Sequence, residues 1–208
     1  MIDDMMEKGL NTYDRVMNIV LGHAKVDQKQ IEELMDKIAY HETDGTMRTD
    51  MHQYKGGPAR GLFQYELKAS KKTPKASGHG RTAMNRLYNV LGGVLPSKGG
   101  KPASDPINMP DWMEPYFKRN RYGAYEASGD VDFSKLTGEQ QRTIFLADKL
   151  KTKGAIPSIG MDKDSKWWSI YHQKGDSNIK DFEEDSGRYS FQKHRLKALE
   201  NAYYRIYK

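Results

Sequence analysis

The strongest constraint on the fold lies at residues 26–45, where a helix start, an apolar stripe and a stop follow one another in register. Asp27 and Gln30 have the N-cap and N3 spacing of a capping box, and Val26 and Ile31 occupy the flanking staple positions. Ile31, Leu34, Met35 and Ile38 then recur on one face of a 3.6-residue helix, which runs out between Tyr40 and Gly45. Such a stripe must be buried against other elements, so this segment predicts a packed, helical core.

The rest of the chain supplies those elements. Tyr13, Val16, Met17, Val20 and Leu21 predict an amphipathic helix within an N-terminal helical extension over 1–25. Met84, Leu87, Tyr88 and Leu91 predict another, with Gly92 placed to end it. Thr137 and Gln140 form a second capping box for a helix through about Lys151, buried through Ile144 and Ala147. Trp167, Ile170 and Tyr171 mark a further helix, and Leu196, Leu199, Tyr203 and Ile206 a last one. Gly45, Gly56, Gly57, Pro58 and Gly61 break up 44–66 into turns, so a small β element is expected near 45–65. Pro96, Pro102, Pro106 and Pro110 with Gly99 and Gly100 make 96–110 a long Pro/Gly-rich surface loop. The expectation is a single domain over 1–208, mainly α (α+β).

Composition bounds the chemistry. Cysteine is absent from the 208 residues, which excludes disulfide scaffolds, thiol nucleophiles and cysteine-based metal sites. His41-Glu42 lacks a second His four residues on, and His41, His52 and His79 have no ligand periodicity, so neither a metal nor a cofactor is expected. No run reaches the ~20 apolar residues of a membrane span, and the acidic Met1-Ile2-Asp3-Asp4 start is unlike a signal peptide. A monomer made in the cytoplasm is expected. The formal charge of +6 favours polyanionic partners without choosing among nucleic acid, cell-wall polymer and membrane surface.

The candidate for chemistry is Glu42. At 100° per residue it falls within about 20° of both Ile31 and Met35, on the apolar stripe. A carboxyl there is partly desolvated, which raises its pKa as a general acid requires. If the helix instead frays at Tyr40, Glu42 is an ordinary solvated residue. Downstream, His41-Glu42-Thr43 is followed by Gly57-Pro58-Ala59-Arg60-Gly61-Leu62-Phe63-Gln64, and then by Tyr171-His172-Gln173-Lys174-Gly175 and Tyr189. In order and rough spacing this resembles the soluble lytic transglycosylase family of the lysozyme-like superfamily. There a Glu followed by a small hydroxyl residue ends a helix, a Gly-Ala-x-Gly-Leu-Met-Gln segment follows, and Ala-Tyr-Asn-Ala-Gly and a tyrosine come later. The resemblance covers about 31–189, with Thr43 for Ser, Phe63 for Met, His172 for Asn, and one extra residue in the third motif. The interval 67–165 is longer than that family's compact core.

The resemblance implies a lysozyme-like fold and a muramidase acting on peptidoglycan glycan strands, as in phage lysins and virion-associated enzymes. Glu42 is then the general acid, and Thr43, Gly61, Gln64, Tyr171 and Tyr189 contact substrate. A hydrolase would need a second carboxylate, for which Asp44 and Asp50 are nearest; a lytic transglycosylase needs none. Both aspartates also read as turn residues. The action would be on the bacterial cell wall, from the periplasm or from a virion. Two other readings stay open. One is a nucleic-acid-binding protein using Lys68, Lys71, Lys72, Lys75 and Arg81, with His194, Arg195, Lys197 and Arg205 beside Tyr203, Tyr204 and Tyr207. The other is a non-catalytic virion or wall-binding protein that keeps the fold.

Overall fold

The computed structural model describes residues 11–53, 57–67, 78–93, 109–119, 125–127, 131–173 and 178–207. The chain is mainly helical with a small antiparallel β element. Helices α1 (Thr12–Leu21), α2 (Gln28–Glu42), α3 (His79–Val90), α4 (Gly138–Lys151), α5 (Asp164–Trp168) and α6 (Ile179–Tyr207) surround the core. Both capping boxes are formed: Asp27 with Gln30 opens α2, and Thr137 with Gln140 opens α4.

Four of these helices build the core through the stripes read from sequence. Ile31, Leu34, Met35 and Ile38 of α2 are all buried, with Met84, Leu87 and Tyr88 of α3 and Ile144 and Ala147 of α4. In α1, Val16, Met17 and Val20 are fully buried against the same core, chiefly on α4. This helix is therefore a wall of the domain and not an extension of it; residues 1–10 of the expected extension lie outside the described residues.

The β element is a hairpin of β1 (Ala59–Arg60) and β2 (Tyr65–Glu66), with Ala59 opposite Glu66 and Arg60 opposite Tyr65. His52 adds a single bridge to Arg60. A second hairpin, β3 (Phe117–Arg119) with β4 (Tyr125–Ala127), has no counterpart in the sequence reading. It docks on α3, where Phe117 stacks on Tyr88 at 5.0 Å and the Ala127 N–H donates to Asn85 Oδ1. Of the 96–110 loop, 96–108 lie outside the described residues, as do Lys68, Lys71, Lys72 and Lys75 of the basic stretch.

Helix α6 packs on the core along its first part, where Phe182 is fully buried. Further on, Phe191, Leu196, Leu199, Tyr203 and Tyr204 are exposed. The apolar spacing at 196, 199 and 203 thus marks a helix but not a buried face. Among the described residues no helix is long and apolar enough to cross a membrane.

Candidate active site

Helix α2 persists to Glu42, and its ending is fixed by the residues that follow. Thr43 is wholly buried; its hydroxyl donates to the Ala39 carbonyl at 2.7 Å and accepts the Met47 N–H at 2.9 Å. Asp44 and Gly45 then take left-handed backbone angles, φ 50° and 74°, and the Gly45 N–H returns to the Tyr40 carbonyl. The last helical side chain is consequently held rather than frayed.

Glu42 lines a cleft of about 620 Å³, within the range of small-molecule sites. One wall is the β1–β2 hairpin with its Phe63 and Gln64 loop; another is α4, through Asp148 and Lys149; a third is α3, through His79, Thr82 and Arg86; and a fourth is Tyr171, His172 and Gln173. Those three consecutive residues reach the cleft because α5 continues into a π-helical turn over Ser169–Gln173, a local widening common at functional sites.

Two side chains meet Glu42 at the same oxygen. Trp168 Nε1 donates to Oε1 at 3.2 Å, and His172 Nε2 lies 3.3 Å from it. Among the described residues Oε2 has no partner. Burial raises the Glu42 pKa, as its place on the apolar stripe implies. The His172 hydrogen bond and charge, the Trp168 N–H and the His41 charge outweigh burial and hold it below the ordinary carboxylate value. The expected rise is therefore reversed. His172 is pushed down as well, by burial and then by the positive charge of Lys149, more than Glu42 and Asp148 pull it up. At neutral pH the pair is a carboxylate and a neutral imidazole, and the contact requires the imidazole proton on Nε2.

The α4 wall carries a second buried carboxylate that sequence reasoning missed. Asp148 Oδ1 accepts from Arg86 at 2.6 Å, while Oδ2 accepts from Lys149 at 3.0 Å and from the Tyr65 hydroxyl at 3.1 Å. Burial raises its pKa, but Lys149 and Arg86 prevail and keep it low. Lys149 also donates to the Tyr171 carbonyl at 3.0 Å, tying α4 to the π-turn. No spacing rule joins residues 65, 86, 148 and 172; only the adjacent apolar pattern of α3 and α4 hints that they meet.

The other expected site residues divide. Gln64 lines the cleft at φ 48°, an uncommon angle for a non-glycine residue, with its Nε2 donating to the Gly61 carbonyl. Tyr171 lines it too, its ring against Trp167 and its hydroxyl 3.1 Å from Ser158 Oγ. Five of the expected residues do not line the cleft. Thr43 is spent on capping α2. Gly61 is needed at φ 77°, and a Cβ there would collide with Gln141 Oε1, so its open side faces the core side chain Gln141 and not a ligand. Tyr189 donates to Asp36 Oδ2 at 2.7 Å and rests on Tyr40; Asp36 projects about 120° around α2 from Glu42, so this contact clamps α6 away from the cleft. Asp44 is an exposed turn residue, and Asp50 forms an exposed two-pronged pair with Arg48 at 2.9 and 2.7 Å. Neither aspartate lines the cleft. No family model, curated protein or solved structure matches the chain.

Proposed function

We propose that the protein is a peptidoglycan-cleaving muramidase of the lytic transglycosylase type, with Glu42 as its acid and base. The observation that carries this reading is convergence. Glu42, the Phe63–Gln64 loop and Tyr171–His172, which belong to the three separate segments of the family resemblance, line one cleft. Glu42 protonates the β-1,4 oxygen linking N-acetylmuramic acid to N-acetylglucosamine as positive charge develops on the sugar ring. The resulting carboxylate then takes the proton of the muramyl 6-hydroxyl as that oxygen closes on C1. Gln64 offers both a donor and an acceptor to acetamido or hydroxyl groups. The single-carboxylate route is favoured because Asp44 and Asp50 do not line the cleft and the Asp148 charge is engaged by Arg86 and Lys149.

Digestion of purified peptidoglycan followed by mass spectrometry tests the reading. Anhydro-muramyl ends are expected; reducing ends would make the enzyme a hydrolase. No release by the wild-type chain, or equal release by Glu42→Gln, would refute it. One observation favours a second reading: Tyr203 and Tyr204 are exposed on α6 beside Lys197 and Arg205, a surface suited to stacking and phosphate contact. Salt-sensitive binding of single-stranded nucleic acid that survives Glu42→Gln would support it.

A further inference from the structure

Resting on the muramidase reading, we propose that His172 is a positioning residue that makes Glu42 half of a one-proton dyad. Its Nε2–H holds Oε1, which leaves Oε2 to carry the proton that is delivered to the glycan and recovered from it.

The geometry motivates this assignment. The Nε2–Oε1 contact is 3.3 Å, and the two side chains are only 10% and 15% exposed, yet both border the cleft. The imidazole is braced edge-on by Phe145 at 5.6 Å and by Tyr65 at 6.4 Å, so its orientation is fixed by packing. The charged and titratable groups around the pair are Asp148 and Lys149 from α4, Arg86 from α3, Tyr65 from β2 and His41 from α2, while Trp168 of α5 adds an uncharged N–H donor. Lys149 opposes a positive His172, whereas Glu42 and Asp148 favour one.

A single added proton can reside on Glu42 as a carboxylic acid or on His172 as an imidazolium; the two are microstates of one titration. When a glycan displaces water from the cleft, separated charges become costly and the neutral pair is favoured. The acid form keeps the Nε2–H to Oε1 bond and presents Oε2–H to the leaving oxygen. As the C1–O4 bond breaks, that proton goes to O4. As the 6-oxygen bonds to C1, its proton returns to the carboxylate, so no proton is consumed overall. Throughout, His172 stabilises the intervening carboxylate with the same hydrogen bond.

Two variants test this through the pH dependence of peptidoglycan release, read as the alkaline limb of kcat/KM. His172→Gln keeps an N–H donor but cannot titrate, so the limb moves to lower pH as the imidazolium microstate is lost. His172→Leu removes the donor and leaves only the Trp168 N–H and the His41 charge against burial, so the limb moves to higher pH, each shift being on the order of one unit. A fall in rate with the limb unmoved in both variants would show a merely structural role and overturn the proposal. An independent arm uses NMR titration of the histidine ring, assigned by its loss in His172→Gln. Glu42→Gln should move the His172 transition to lower pH, because a carboxylate that favours the imidazolium is removed. An identical His172 titration in wild type and Glu42→Gln would overturn the dyad whatever the activity. Absence of cleavage by the wild-type chain with the NMR coupling intact would instead sink the muramidase reading alone.

Discussion

Replacing Gln141 with Leu should destabilise the fold and loosen the cleft together. Gln141 is fully buried in α4 and knots three chain segments: its Oε1 accepts the Leu62 N–H at 2.6 Å, and its Nε2 donates to the Thr49 and Leu136 carbonyls at 2.9 Å each. Leu has similar bulk but no polar atoms, so all three backbone groups lose their partner. An orphaned buried group costs about 1–3 kcal/mol. The Leu62 and Leu136 groups are buried in full, whereas the Thr49 bond is partly buried and its carbonyl can recover water. The expected loss is therefore about 3–5 kcal/mol, a large share of a usual domain stability of about 5–15 kcal/mol. Urea unfolding followed by circular dichroism measures it. Because Leu62 lies in the turn that carries Phe63 and Gln64 into the cleft, the residual folded protein should also lose glycan release. A loss below about 1 kcal/mol would refute the reasoning, since it would mean that these groups find other partners.

Three further outcomes follow from the same structure. Stability should fall as pH drops, because Glu42, Asp148 and His172 all titrate lower in the folded chain than their ordinary values. The unfolded chain then binds more protons, first as pH falls through about 6.5 for the imidazole and then through about 4 for the carboxylates. Thermal melts across pH 3–8 check this, and a rise in Tm on going from pH 7 to pH 5 would contradict it. Asp44→Asn with Asp50→Asn should leave the rate of peptidoglycan release unchanged, as neither residue borders the cleft; a marked loss would restore a second carboxylate to the mechanism. Asp27→Ala should cost about 1 kcal/mol by chemical denaturation, since it removes the cap on the Gln30 N–H.

What was legible in the sequence was whatever depends on neighbours a few residues away. The capping boxes at Asp27–Gln30 and Thr137–Gln140, the stripe of α2 and the place of Glu42 on it follow from spacing alone. The partners of Glu42 do not. His172 stood out only as a departure from Asn, and Trp168 only as a neighbour of the core residue Trp167. Asp148, Arg86 and Tyr65 carried no local signal, because their pairing depends on how α3, α4 and the hairpin meet. The same limit explains the errors. A hydroxyl after Glu42 reads equally well as a substrate contact or a cap, and the Gly61 turn reads equally well as open to a ligand or closed on Gln141. Tertiary packing decides both cases.

The reversal at Glu42 also follows from tertiary packing. A carboxylate at a helix C-terminus faces the negative end of the helix dipole, and burial disfavours its charge further, so these two effects by themselves would raise its pKa. The groups that reverse this are His172, Trp168 and His41, and these are held by others still. Trp168 stacks on Phe182 of α6 at 4.9 Å, His41 pairs with Asp185 at 2.8 Å, and Tyr189 anchors α6 to Asp36. Lys149 fixes the Tyr171 carbonyl from the other side. The charge state of one side chain at residue 42 thus depends on the docking of a helix that begins at residue 179. Loosening that helix, for instance by Phe182→Ala, should release Trp168 and raise the Glu42 pKa without altering a single residue that lines the cleft.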